Sequence, residues 1–201
     1  MITECSEMSA IQSQKLLYFD LDKTLIATIF SALEPHHEMR FYKIGEREPR
    51  YSVLRPGVHE VFECITKKFN IGIITDAKTK RALSILKQFN LTRHVSVLVA
   101  HEPLLDFEKI TCIPRKGKCM QYFNGLLLFD DAQEAKKWNP ETCITVKGFQ
   151  AQLLPCKALI ARGCNDYWQN WDSDFVENEK RYFCNLVKTG VLSKLGIALC
   201  L

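Results

Sequence analysis

Nothing in the 201-residue sequence approaches the roughly 20 consecutive apolar residues that a membrane-spanning helix needs. The most apolar tail, "GVLSKLGIALCL", is interrupted by Lys194. The opening stretch "MITECSEMSAIQSQ" has neither a cationic region nor an apolar core, so a secretory signal is not expected. The nine cysteines are odd in number, scattered and never spaced C-x-x-C, which argues against a disulfide framework and a zinc knuckle. Charge of one sign is scarce too: the net charge is +4, far from that of a dedicated nucleic-acid binder. No internal repeat or low-complexity linker divides the chain. These absences predict a soluble intracellular protein in a reducing setting, with no membrane and no direct nucleic-acid partner, and leave nucleus or cytoplasm open.

With 47% hydrophobic and 25% charged residues, residues 1–201 can bury one good core. Apolar runs alternate with helix-like segments. "KLLYF" (15–19), "NIGIIT" (70–75), "VSVLVA" (95–100), "LLLFDD" (126–131) and "TCITV" (142–146) read as buried strands. "GVHEVFECITKKF" places apolar residues at 58, 61, 62 and 65, one face of a helix, and "KTKRALSILKQF" reads as a second. Strands that are apolar throughout and separated by helices predict an α/β fold, an open parallel sheet sandwiched by helices. Between residues 28 and 54, "MRFYKI" and "YSVL" flank a charged turn, predicting a small β-hairpin inserted after the first strand. A C-terminal helical segment is expected over about 172–190, with Asp172 or Ser173 as N-cap and Gly190 as stop.

In open α/β sheets ligands bind at the carboxyl ends of the strands. The first strand ends in Asp20, with Asp22 and Thr24 following; another ends in Thr75, and another in Asp130 and Asp131. A parallel sheet would bring these ends to one edge and gather four carboxylates. Two carboxylates about 4 Å apart repel by about 4 kcal/mol even at an effective dielectric near 20, so a cation must offset them. The donors are all oxygen, which suits a hard divalent ion such as Mg²⁺, aided by a lysine. Of Asp20 and Asp22, one could face metal and substrate as a nucleophile while the other carries a proton.

"DLDKT" resembles the first motif, D-x-D-x-T, of the haloacid dehalogenase (HAD) superfamily, whose phosphatases work through an aspartyl-phosphate. "IGIIT" resembles the second motif and "LLLFDD" the fourth. Residues 51–82, with "RPG" at 55–57, and "WNPETCITVKGF" further on are similar to the NLI-interacting-factor-like branch, which includes the Fcp/Scp-type carboxy-terminal-domain (CTD) phosphatases acting on RNA polymerase II. The resemblance covers most of residues 15–150. It implies a Rossmann-like HAD fold and a Mg²⁺-dependent phosphomonoester hydrolase acting on phosphoserine or phosphothreonine in a protein or peptide, the RNA polymerase II C-terminal domain among the candidates.

Residue by residue, the resemblance implies Asp20 as nucleophile, Asp22 as general acid/base and donor of a backbone carbonyl to the metal, and Thr24 as a positioning hydroxyl. Thr75 would bind phosphate, Asp130 would ligate the metal and Asp131 would stand at or beside it. Lys118 is preferred as the third-motif lysine, with Lys116 as alternate, and Asp76 departs from the small neutral residue expected after the threonine. Two other readings stand beside this one: a HAD phosphatase for a small metabolite or a nucleic-acid end, and a non-catalytic module using the fold for protein contacts. The adjacent His36 and His37, without cysteine or carboxylate partners at ligand spacing, read as surface loop. The aromatics Phe30, Phe41, Tyr42 and Tyr51 suit a small core or an apolar substrate pocket equally, and the cysteines read as packing residues.

Overall fold

The computed structural model describes residues 15–29, 51–101, 110–112, 118, 120, 123, 125–149 and 173–201. Eight strands and four helices occur among them: β1 (Leu16–Phe19), β2 (Ile26–Ile29), β3 (Tyr51–Leu54), α1 (Val58–Ile65), β4 (Asn70–Ile74), α2 (Thr79–Gln88), β5 (Val95–Ala100), β6 (Ile110–Cys112), β7 (Gly125–Asp130), α3 (Gln133–Trp138), β8 (Cys143–Thr145) and α4 (Ser173–Leu195). Six strands form one sheet in the order β6-β5-β4-β1-β7-β8. Every pairing in it is parallel. The expected α/β sandwich is therefore the observed one.

Alternation along β1 explains why both faces are covered. Leu17 and Phe19 enter the larger core, with Phe62 and Ile65 of α1, Ala82 and Ile85 of α2, and Phe183, Val187 and Val191 of α4. Leu16 and Tyr18 enter the core on the other face, with Leu128, Met120, Phe123 and Ala135 of α3. A parallel strand buried on both faces must be apolar at every position, and "LLYF" is. Tyr18 also dictates its neighbours: a Cβ added at Gly72 on β4 or Gly125 on β7 would run into its ring. Glycine at those two positions is what lets the ring lie across the sheet.

Chain order reverses about β1. From there the chain builds β4, β5 and β6 to one side, then returns to add β7 and β8 on the other. That makes the carboxyl end of β1, flanked by β4 and β7, a topological switch point, where open α/β sheets form a crevice.

The structure bears out a small antiparallel pair at the insertion and corrects the sequence reading at the C-terminal helical segment. "YSVL" does lie in a small antiparallel pair, but its observed partner is β2, in register from Ile26↔Leu54 to Ile29↔Tyr51. The expected partner "MRFYKI" lies outside the described residues, as do Phe30, His36, His37, Phe41 and Tyr42. Helix α4 starts at Ser173, so Asp172, the other cap candidate, is outside them too. Gly190 does not stop α4. It is buried inside the helix, facing Ile144 of β8, and the helix runs to Leu195 before Gly196 takes a left-handed φ of 67°. Strands β2 and β6 and the short helix α3 had no counterpart in the sequence reading.

Candidate active site

Asp20 is the first residue beyond β1, and its backbone N–H donates to the Phe129 carbonyl of β7 at 2.9 Å. That bond brings Asp20 beside Asp130, the last residue of β7. Asp130 is fully buried and its Oδ1 accepts from the Ala132 N–H at 2.7 Å. Carboxylate oxygens of Asp20, Asp130 and Asp131 lie within 4.8 Å of one another. Three of the four carboxylates expected at this edge therefore meet, and the Asp22 carboxylate lies outside the group.

The Lys118 ammonium donates to Asp20 Oδ1 at 2.7 Å and to Asp130 Oδ2 at 3.0 Å. Both partners are buried, so these are charge-assisted bonds in a medium that screens poorly. Burial pushes the Asp20 carboxyl up to about 7, the neighbouring Asp130 adding to the rise and Lys118 opposing it. Asp131 is raised as well, by burial and then by Asp130. Burial alone would lower Lys118, but Asp20 and Asp130 outweigh it and raise the ammonium instead. Three carboxylates outnumber the two ammonium groups that act on them, Lys118 and, at Asp131, Lys23. An all-oxygen donor set of this kind fits a hard divalent cation such as Mg²⁺, with Asp20, Asp130 and Asp131 as its holders.

Lys118 itself is held by a residue the sequence reading passed over. Buried Asn139, just past α3, donates from Nδ2 to the Lys118 carbonyl at 2.7 Å and accepts from the Met120 N–H at 2.7 Å. The alternate lysine, Lys116, lies outside the described residues. Asp76, on the loop after β4, is 77% exposed, and its carboxylate stands 3.9 Å from the Lys118 ammonium at the rim of the cluster.

Thr24 and Thr75 are both buried. Thr24 reaches Asp131 with a long hydroxyl contact of 3.5 Å. Thr75 follows β4, the strand next to β1; its N–H donates to the Val99 carbonyl, and its hydroxyl accepts from the Ala77 N–H at 3.1 Å, which shapes the turn into α2. Between Asp22 and Thr24, Lys23 adopts a left-handed φ of 60° and reverses the chain.

Asp22 stands apart from the other three aspartates. Its carboxylate is gripped by Arg81 of α2, Nη1 to Oδ2 at 2.6 Å and Nη2 to Oδ1 at 2.5 Å. Thr28 of β2 closes the group, donating to Asp22 Oδ1 at 3.3 Å and accepting from Arg81 Nη2 at 3.1 Å.

A second unforeseen residue supports the same loop from below. The Arg55 side chain, 1% exposed, donates to the Thr24 carbonyl at 2.7 Å and to the Lys147 carbonyl at 2.5 Å, and pairs with Glu179 of α4 at 3.0 Å. Its guanidinium lies over the rings of Phe149 and Phe183, at 5.1 and 5.2 Å. The only signal for it in the sequence was its place in "RPG".

Buried carboxylates and a lysine at a switch point suit phosphoryl chemistry, and a family match agrees. The sequence profile of the NLI interacting factor-like phosphatases matches residues 15–157. No curated protein matches by sequence. Among solved structures, fission yeast RNA polymerase II CTD phosphatase Fcp1 bound to beryllium fluoride is similar with a TM-score of 0.53 and 13% identity, covering 96% of this chain and 69% of that one. A second structure, of Fcp1 described as an essential RNA polymerase II CTD phosphatase, gives 0.54 and 13%, covering 96% and 68%. At that identity the likeness speaks to the fold alone.

Proposed function

The chain belongs to the NLI interacting factor-like phosphatase family, and from that premise we propose that it hydrolyses phosphomonoesters through an aspartyl-phosphate on Asp20. The observation that carries this reading is the Lys118 ammonium bridging Asp20 and Asp130 at the end of β1. In the first half-reaction an Asp20 carboxylate oxygen attacks phosphorus, the bond from phosphorus to the ester oxygen breaks, and Asp22 delivers a proton to that oxygen. In the second, Asp22 takes a proton from water, the water oxygen attacks phosphorus, and Asp20 is released together with inorganic phosphate. Lys118, already beside the attacking carboxylate, neutralises charge on the phosphoryl oxygens, and the buried Thr75 hydroxyl donates to one of them. A divalent cation held by Asp20, Asp130 and Asp131, Mg²⁺ in our reading, would withdraw charge from the same oxygens.

We further propose that the substrate is phosphoserine or phosphothreonine in a protein or peptide. Fcp1 is an RNA polymerase II C-terminal domain phosphatase, and this chain shares its fold. That domain, as a phosphopeptide, is the first substrate to test.

Asp20→Asn is expected to abolish Mg²⁺-dependent phosphate release from an aryl phosphate, whereas Asp22→Asn should slow turnover and accumulate phosphoenzyme. Activity that survives Asp20→Asn refutes the nucleophile. A phosphopeptide panel then tests the substrate class.

A further inference from the structure

We propose that Arg81 is a positioning residue that aims the Asp22 carboxylate at the leaving oxygen. The inference rests on the acid/base role proposed for Asp22 and adds a residue to the machinery.

Two carboxylates one residue apart in the chain are each assigned a separate cation. Asp20 has Lys118, and Asp22 has Arg81. The contacts differ in kind. Lys118 is a point charge shared between two carboxylates, whereas Arg81 meets Asp22 with two parallel N–H donors, a fork that fixes the plane of the carboxylate as well as its place. Thr28, hydrogen-bonded to both, prevents the pair from swivelling as a unit. The group joins α2 to the loop between β1 and β2, so Asp22 is oriented from outside its own segment.

The fold has little need of this contact. Helix α2 is anchored by the buried Thr79, Ala82, Ile85 and Leu86, while the Arg81 and Asp22 side chains are 20% and 39% exposed. Even for a forked pair, that partial exposure keeps its contribution to folding small beside the buried anchorage of α2. A proton donor, by contrast, must lie within hydrogen-bond reach of one particular oxygen, and small errors of aim are costly.

The test compares kcat/KM, which reports steps up to formation of the phosphoenzyme, on a phosphoserine peptide and on p-nitrophenyl phosphate. The serine alkoxide needs a proton on departure and the nitrophenolate does not. Arg81→Gln is expected to lower kcat/KM for the peptide by about tenfold, a part of the roughly 10²–10⁴ that acid/base catalysis supplies, and to leave the aryl ester nearly unchanged. Arg81→Lys, which keeps the charge and loses the fork, should shift the ratio similarly, and Thr28→Val should do so to a smaller degree. In an Asp22→Asn background Arg81→Gln should shift it no further.

Equal losses on both substrates, full recovery in Arg81→Lys, or an undiminished effect in the Asp22→Asn background would each overturn the proposal. Circular dichroism and melting temperatures of the variants separate loss of fold from loss of aim. Were Asp20→Asn to stay active, the phosphatase mechanism itself would fail; loss of activity in Asp20→Asn with an unmoved ratio in Arg81→Gln would sink the positioning role alone.

Discussion

Replacing Lys118 with methionine keeps much of the side chain's length and removes its charge. Unit charges about 3 Å apart attract by about 5–6 kcal/mol at an effective dielectric near 20, and Lys118 makes two such contacts, at 2.7 and 3.0 Å. Much of that gain offsets the burial of the ammonium, so the expected net loss is the about 3–5 kcal/mol typical of removing one partner of a buried pair. For a chain of this size each kcal/mol moves the melting temperature by about 2–4 °C, giving a fall of about 6–20 °C.

The loss should depend on pH and on metal. The Asp20 carboxyl, raised by burial to about 7, binds a proton in the folded chain that the unfolded chain releases above about 4. Stability of the metal-free protein therefore rises as pH falls from about 7 toward 4. Without Lys118 the carboxyls move further up, so the deficit of the variant is largest above neutrality and shrinks on acidification. Differential scanning fluorimetry with EDTA, at about pH 8 and about pH 5, measures both effects. Adding Mg²⁺ should stabilise Lys118→Met more than the unaltered protein, because the ion takes over charge that the ammonium balanced. A variant that melts within about 2 °C of the parent at the higher pH, less than one kcal/mol would cause, refutes the compensating role of Lys118.

Tyr18 predicts a different pH effect. Burial pushes its phenol up to about 12, so the stability it contributes is intact below about pH 10 and is lost, by about 2–3 kcal/mol, as pH rises through 12. Urea unfolding between about pH 9 and 12 should show this alkaline slope, and Tyr18→Phe should flatten it; an equal slope in both proteins contradicts the assignment. Gly72→Ala pushes a methyl into the Tyr18 ring and should cost about 1–3 kcal/mol in the urea midpoint, largely recovered when Tyr18→Leu clears the space. An unchanged midpoint would mean that the sheet yields where the packing suggests it cannot.

What the sequence disclosed follows a physical divide. Period and apolarity report burial, so strands such as "LLYF" and "VSVLVA" were legible from end to end, and so was the parallel sheet that they require. Strand-end aspartates were legible because parallel topology sends those ends to one edge, where Asp20, Asp130 and Asp131 do meet. Arg81 was not. It sits in "KTKR", a basic helix start that looks like a solvated face, and only the three-dimensional approach of α2 to the loop after β1 gives it Asp22 as a partner. Arg55 was hidden for the opposite reason: a buried cation is too costly to expect until the carbonyls of Thr24 and Lys147 and the carboxylate of Glu179 surround it. Gly190 misled because glycine ends helices through its backbone freedom, whereas here its missing side chain makes room for Ile144.

Arg55 also bears on the order in which the molecule comes into being. A ribosome delivers Thr24 and Arg55 well before Lys147, and Lys147 before Glu179, since the chain grows from its N-terminus. Until α4 arrives, the guanidinium beneath the Asp22–Thr24 loop lacks its counter-charge and the rings of Tyr182 and Phe183, so it is better left in water than buried. The Asp22–Thr24 loop then gains its lower support only when α4 docks. A nascent chain would carry every aspartate of the site long before it could hold them in place.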